Sequence, residues 1–442
     1  VLKKRVLNIL FWSVISAAFI GPGTITTAAK AGAVHEFKLL WALLFSTLAC
    51  LLLQEASARI TIYSGRNLGE AISTQFEKKS SRLVIMVLIV GAIIFGSAAY
   101  ETGNLLGAIA GIQIIWPVSR YILVCAIGVI AALVLSIPSL RILSRMMGYL
   151  VVFMGFAFLL TAILLKPSFI QILKGSFIPS IPQNSGAGLL VLGLIGTTVV
   201  PYNLFMGSGL ADKDQQIKEM RFGLSVAILF GGIISMAVLI VGTAVTGEFS
   251  YENLVSALSG KLGRWAIYIF GLGMFSAGFT SAVTAPLASA ITAKSLFSGR
   301  STARWQVTGR NFRVVWIFVL LTGLVFGLTN LKPIPVIILA QALNGLVLPV
   351  ITVFLLFVVN DIALMGQKGI NGLLLNVFMG LVVWITLIIG LTNILQAFLS
   401  VTGGAWMNHQ SSIIVISAIS LFISILVFLK IFRMRMVESD QK

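Results

Sequence analysis

Hydrophobic residues in this chain run in long unbroken stretches instead of alternating or recurring along one face of a helix. Twelve such stretches are read, at 8–31, 38–63, 82–111, 117–139, 147–165, 187–211, 222–247, 263–293, 312–328, 333–358, 371–395 and 411–432. Most match or exceed the roughly 20 apolar residues that carry a helix across the hydrocarbon core. Runs of this kind are helical, because lipid offers no partner to an unpaired backbone group. The pattern predicts an all-α polytopic membrane protein of about twelve transmembrane helices forming one domain over 1–442. The loops are too short to hold a soluble domain. A Gly-Pro-Gly interrupts the first stretch and no small-residue cleavage site follows, so it reads as a retained span and not a signal peptide.

Two spans carry breaks. The first holds Phe19-Ile20-Gly21-Pro22-Gly23-Thr24-Ile25 at its middle, and the sixth holds Gly196-Thr197-Thr198-Val199-Val200-Pro201-Tyr202-Asn203. Proline removes a donor and glycine weakens helix preference, so each helix should unwind there. The breaks correspond if spans 1–5 (1–166) and 6–10 (186–358) form two halves of opposite topology, with 371–432 supplying two further helices. Paired breaks of this kind point to a transporter's substrate site, because irregular backbone at that depth must line a cavity or be buried in protein. The alternative is a pair of proline kinks that serve packing alone.

Polar residues inside the spans refine this picture. Glu101 lies well inside span 3, in Ala98-Ala99-Tyr100-Glu101-Thr102-Gly103-Asn104, and Glu55 lies inside span 2. A carboxylate is expensive in the membrane and is a functional candidate by default, suited to taking up and releasing a proton. Glu101 is the candidate coupling acid. Glu55 has a structural alternative, an ion pair with Arg59 at i+4. Lys30, two turns past the first break, either snorkels to the surface or presents a cation to a vestibule. Gln341, Asn344 and Pro349 give span 10 a polar face that lines the path or bonds neighbouring helices.

The charge balance fits the same class. Of 442 residues 58% are hydrophobic and only 10% charged, and 31 Lys and Arg against 13 Asp and Glu leave a net charge of +18. Soluble chains carry about 25% charged residues. With the N-terminus inside and the loops alternating, most of the basic residues fall in inside loops, so both termini are expected in the cytoplasm of a bacterial plasma membrane. The basic loops are then expected to meet anionic lipid and not nucleic acid. Cys50 and Cys125 lie in apolar runs and offer neither a disulfide framework nor a thiolate site. With two histidines, both in loops, and no phosphate-binding Gly-rich loop, neither an enzyme, an ATP-driven pump nor a bound cofactor is expected.

Several motifs resemble the NRAMP family of proton-coupled divalent-metal transporters, which share the LeuT-type inverted-repeat fold. They are Gly21-Pro22-Gly23-Thr24 with Ala31-Gly32-Ala33, Leu53-Gln54-Glu55, Ala58-Arg59, Ser64-Gly65-Arg66-Asn67-Leu68-Gly69-Glu70-Ala71, Gly196-Thr197-Thr198, Pro201-Tyr202-Asn203-Leu204, Ala277-Gly278 with Ser281 and Thr284, Ala340-Gln341, Leu348-Pro349, and Leu364-Met365-Gly366. The resemblance implies a 5+5 inverted repeat plus two helices, alternating access, and a site between spans 1, 3, 6, 8 and 10. It also shows where this chain departs. The family's span-1 Asp-Pro-Gly-Asn has Gly21 and Thr24 at its metal-binding Asp and Asn. Its span-6 Met-Pro-His has Val200 and Tyr202, and a second histidine position is Gly207. In span 3 the family's Asp aligns with Glu101 and its Glu with Asn104, while the span-10 glutamine is kept as Gln341.

Every charged or soft ligand of the metal site is therefore replaced. Carboxylate or thioether ligands normally offset the desolvation of a divalent cation. Thr24, Tyr202, Gln341 and backbone carbonyls offset little of it. The amides at Gly21, Gly23 and Thr24, near the N-terminus of the second half-helix, favour an anion instead. LeuT-type amino-acid carriers hold substrate carboxylates in the same way. The expected substrate is a small carboxylate, amino-acid-like solute or inorganic anion. Its contacts would come from Gly21, Gly23, Thr24, Val200, Tyr202, Asn203, Gln341 and Asn344, with Glu101, Asn104 and Lys30 in proton coupling. The alternatives are a magnesium- or manganese-like cation carried partly hydrated, and a transport-inactive sensor.

Overall fold

A computed structural model describes residues 2–74, 79–182, 187–297, 302–329, 347–402 and 409–440. Gln341 and Asn344 lie outside the described residues. The described elements are helical. In chain order they are α1 (Leu2–Phe19), α2 (Pro22–His35), α3 (Leu40–Ser64), α4 (Leu68–Thr74), α5 (Lys79–Ile115), α6 (Arg120–Leu135), α7 (Leu140–Leu164), α8 (Phe169–Phe177), α9 (Ala187–Thr198) and α10 (Pro201–Leu210). There follow α11 (Ile217–Gly242), α12 (Tyr251–Leu262), α13 (Trp265–Phe297), α14 (Arg310–Gly327), α15 (Val347–Val358), α16 (Ile362–Gly369), α17 (Leu373–Thr402) and α18 (His409–Asp440). Each of the twelve apolar stretches is helix over most of its described length.

By length and hydropathy, nine candidate spans are found among the described residues, or ten when α15 and α16, bent by 67°, count as one. The difference from twelve has local causes. α6 has only 16 residues, the path from Pro22 to Ser64 runs nearly continuously through two spans, and much of the tenth stretch lies outside the described residues. One boundary also differs. The fifth stretch begins at 147 by hydrophobicity, but the helix starts at Leu140, where the Ser139 hydroxyl accepts from Ile142 N. Arg141 and Arg145 therefore ride on the first turns of α7 instead of in a loop.

Short polar signals set the helix ends. α3 stops at Gly65, which is left-handed (φ 68°), and α4 starts with a reciprocal cap. Asn67 Oδ1 accepts from Glu70 N at 3.0 Å while Glu70 Oε2 accepts from Asn67 N at 3.1 Å. Between helices, small residues permit close crossings. A Cβ on Gly32 of α2 would run into the Leu239 carbonyl of α11, and one on Gly242 of α11 into the Ala29 carbonyl of α2. α5, α13 and α14 pack together as one group, while α1, α2 and α3 pack on α11. Trp12, Phe19, Phe158 and Phe270 are among the large side chains of the core.

Candidate functional site

Both breaks fall where the sequence places them and have the same construction. α1 ends at Phe19, Gly21 is extended (φ −102°, ψ −177°), and α2 resumes with Pro22 in its first turn. α9 ends at Thr198, Val200 is extended (φ −106°, ψ 129°), and α10 resumes with Pro201. Proline fits the first helical turn because its missing N–H has no partner to lose there, and its fixed φ suits the helix. Each half-helix thus begins with amide N–H groups that lack helical partners.

The last carbonyls of α1 are occupied by donors from four directions. Ser16 O accepts from Ile20 N at 2.9 Å, Ala17 O from the Ser281 hydroxyl of α13 at 3.2 Å, and Ala18 O from the Tyr202 hydroxyl at 3.1 Å. Phe19 O accepts from the Thr24 hydroxyl across the break. One turn back, Asn203 Nδ2 donates to Ile15 O at 3.1 Å. Tyr202 and Asn203 were expected to offer donors to a ligand. In this arrangement the Tyr202 hydroxyl and the Asn203 amide tie α10 to α1, and Asn203 Oδ1 has no hydrogen-bond partner among the described residues. Tyr100 of α5 meets Tyr202 edge to face, with ring centroids 6.2 Å apart.

Span 3 closes the other side. Glu101 is fully buried, its Oε2 accepts from Asn104 Nδ2 at 3.3 Å, and its Oε1 has no hydrogen-bond partner among the described residues. Gly323 of α14 backs directly onto the Glu101 side chain, and Gly107 of α5 onto the Pro22 ring. A Cβ at Gly21 would lie 2.7 Å from Ser281 Oγ, 3.3 Å from Ser281 Cβ and 3.5 Å from Asn104 Oδ1. Gly21, Thr24, Glu101, Asn104, Val200, Tyr202 and Asn203 are thus all buried, with Gly21, Asn104 and Ser281 meeting at one point. Gly23 is buried on α2 with them. Lys30 is half-buried and stands apart, nine residues along from Gly21 or about 13 Å of helix rise.

Other expectations resolve elsewhere. Glu55 pairs with Arg59 at 3.1 Å and with Arg221 of α11 at 2.8 Å, the structural alternative read from its i+4 spacing. Sequence reasoning assigned no part to Ser281, the residue that fills the space beside Gly21. Its signal was its place with Ala277-Gly278 and Thr284 in the span-8 motif, to which no ligand contact was attached. It also missed Tyr251, whose hydroxyl lies 2.5 Å from that of Thr26 and ties α12 over α2. Burial pushes the Tyr251 phenol up to about 12. The described residues contain no cluster of three or more His, Cys, Asp and Glu able to hold a metal.

Two helices broken at corresponding points within a bundle of apolar spans define the class, an integral membrane transporter of the LeuT-type inverted-repeat fold. Comparison with known proteins agrees. The family model described as natural resistance-associated macrophage protein-like matches residues 13–396, and the chain belongs to that family. Among solved structures, the manganese transporter of Eremococcus coleocola is 19% identical with a TM-score of 0.73, the match covering 98% of this chain and 96% of that one. Mhp1, a nucleobase-cation-symport-1 family transporter, is 16% identical (TM-score 0.56, 96% and 92% covered). MhsT, solved in complex with L-phenylalanine, is also 16% identical (TM-score 0.54, 88% and 98% covered).

Proposed function

We propose that this transporter is a secondary active carrier working by alternating access in a bacterial plasma membrane, with both termini cytoplasmic and protons as the coupling ion. Its substrate on this reading is not a dehydrated metal but a small carboxylate, amino-acid-like solute or inorganic anion. The observation that carries the reading is the hydrogen bonding at the first break. The carbonyls of Ala17, Ala18 and Phe19 already accept from Ser281, Tyr202 and Thr24, and Ser281 stands beside Gly21, the position of the family's acidic ligand. A dication there would meet neutral oxygens already engaged by donors, with no thiolate, thioether or carboxylate aligned at the ligand positions. The half-helix N-termini at Pro22 and Pro201 supply partial positive charge that suits an anion.

Glu101 is the coupling acid on this reading. It is buried within one turn of Asn104, which lies beside the first break, and no cation pairs with it among the described residues. A proton can therefore neutralise it without breaking an ion pair. A second reading, a divalent cation carried with part of its water shell, is favoured by family membership and by the fold shared with the manganese transporter. Isothermal titration of the purified protein with manganese, magnesium and a panel of carboxylates and amino acids separates the two. Saturable heat from a member of the organic panel and none from manganese supports the first reading. Saturable manganese heat with no organic binding overturns it.

A further inference from the structure

The helices beyond the two halves, α17 and α18, have no part in the function proposed above, yet a buried cation ties them to the bundle. Arg59 of α3 is only 3% exposed. Its Nε donates to Glu55, its Nη1 to the Gly369 carbonyl at the end of α16, and its Nη2 to Asn371 Oδ1 just before α17. Asn371 passes the contact on. Its Nδ2 donates to Asn376 Oδ1 of α17 at 2.9 Å, its carbonyl accepts from Arg435 of α18, and Asn376 exchanges amide hydrogen bonds with Asn360 at 2.7 and 2.9 Å. On the other side Glu55 receives Arg221 of α11. The same helix, α3, is laced to the second broken span. Ser57 donates to the Leu204 carbonyl at 2.5 Å and Thr61 to the Ser208 carbonyl at 2.8 Å, both on α10.

We infer that Arg59 is a rivet that makes α17 and α18 travel with α3, α10 and α11 as one rigid body during the transport cycle. A guanidinium held by acceptors on separate segments fixes all of them, because losing one acceptor leaves a buried charge short of a partner. α16 and α17 also pack directly on α3. The consequence for transport rests on the alternating-access reading, but the rivet itself does not depend on which solute is carried.

Double electron–electron resonance tests the inference without a substrate. Cys50 and Cys125 are replaced, and spin labels go on the exposed positions Leu48 of α3 and Ile425 of α18, in nanodiscs at pH 5.5 and pH 8. The rivet predicts one narrow distance at both pH values, and a broadened or split distribution in Arg59→Met and in Asn371→Ala. Asn371→Ala keeps the Arg59–Glu55 pair and decides the matter should Arg59→Met fail to fold. A wild-type distribution that is already split, or an Asn371→Ala distribution as narrow as wild type, overturns the inference.

Discussion

Placing an acid at position 21 tests the proposed site directly. A Cβ there would sit 2.7 Å from Ser281 Oγ and 3.3 Å from Ser281 Cβ, so Gly21→Ala forces the serine to rotate away from the Ala17 carbonyl. Losing that hydrogen bond costs about 1 kcal/mol, and residual crowding brings the total to about 1–3 kcal/mol. Gly21→Asp adds a carboxylate in a fully buried place that crowds Ser281 and faces the acceptor Asn104 Oδ1, and the first amides of α2 offset its burial only in part. An unpaired buried charge costs several kcal/mol more. Purified Gly21→Asp protein is therefore expected to melt well below Gly21→Ala, and manganese should recover part of the loss, since a bound cation at a hundredfold excess over its Kd returns about 2.7 kcal/mol. The wild type should show no manganese shift. Adding Ser281→Ala to Gly21→Asp should recover the steric part. The assay is the melting midpoint with and without manganese chloride. A wild-type shift equal to that of Gly21→Asp, or no recovery from Ser281→Ala, would refute the reasoning.

Three further outcomes follow from the geometry. Glu101→Gln should leave the size-exclusion profile unchanged and flatten the pH dependence of solute uptake in proteoliposomes; a wild-type pH profile would remove Glu101 from coupling. Gly32→Ala should drive its methyl into the Leu239 carbonyl and destabilise the α2–α11 crossing by about 1–3 kcal/mol, read as a lower melting midpoint, and an unchanged midpoint would contradict the close approach. Tyr251 is held neutral, with its phenol raised to about 12 from 10.0. Its contribution is complete below pH 10 and is lost as pH rises from 10 through 12, about 2–3 kcal/mol in all. Tyr251→Phe should lose that share of the alkaline decline in melting midpoint, and an identical decline would show that Tyr251 does not cause it.

The parts of the fold that depend on local chemistry were legible in the chain. Pro22 and Pro201 mark the restart of each half-helix because proline is favoured only in a first turn, and Gly65 with Asn67 and Glu70 marks the end of α3 and the start of α4. Span ends were less legible where a helix extends beyond its apolar run. α7 begins with a basic turn that hydrophobicity alone assigns to a loop, and α5 and α13 run past the lipid-length limit. The site's third dimension was not legible, because it depends on contacts between residues far apart in sequence. Ser281 reaches Ala17 across 264 positions, and Arg59 reaches Asn371 across 312. That neither an acid at position 21 nor a thioether at position 200 is present is plain from the chain. The donors that now occupy the freed carbonyls became visible only in the folded arrangement.

The central claim is that the first break no longer strips a dication of its water. Its most direct test is manganese uptake by wild-type protein in proteoliposomes under an inward proton gradient, with and without the organic panel as competitors. The account predicts no saturable manganese uptake above protein-free vesicles, and gradient-driven accumulation of at least one organic or anionic solute. Manganese accumulation that saturates at micromolar concentration and ignores every organic competitor would contradict it.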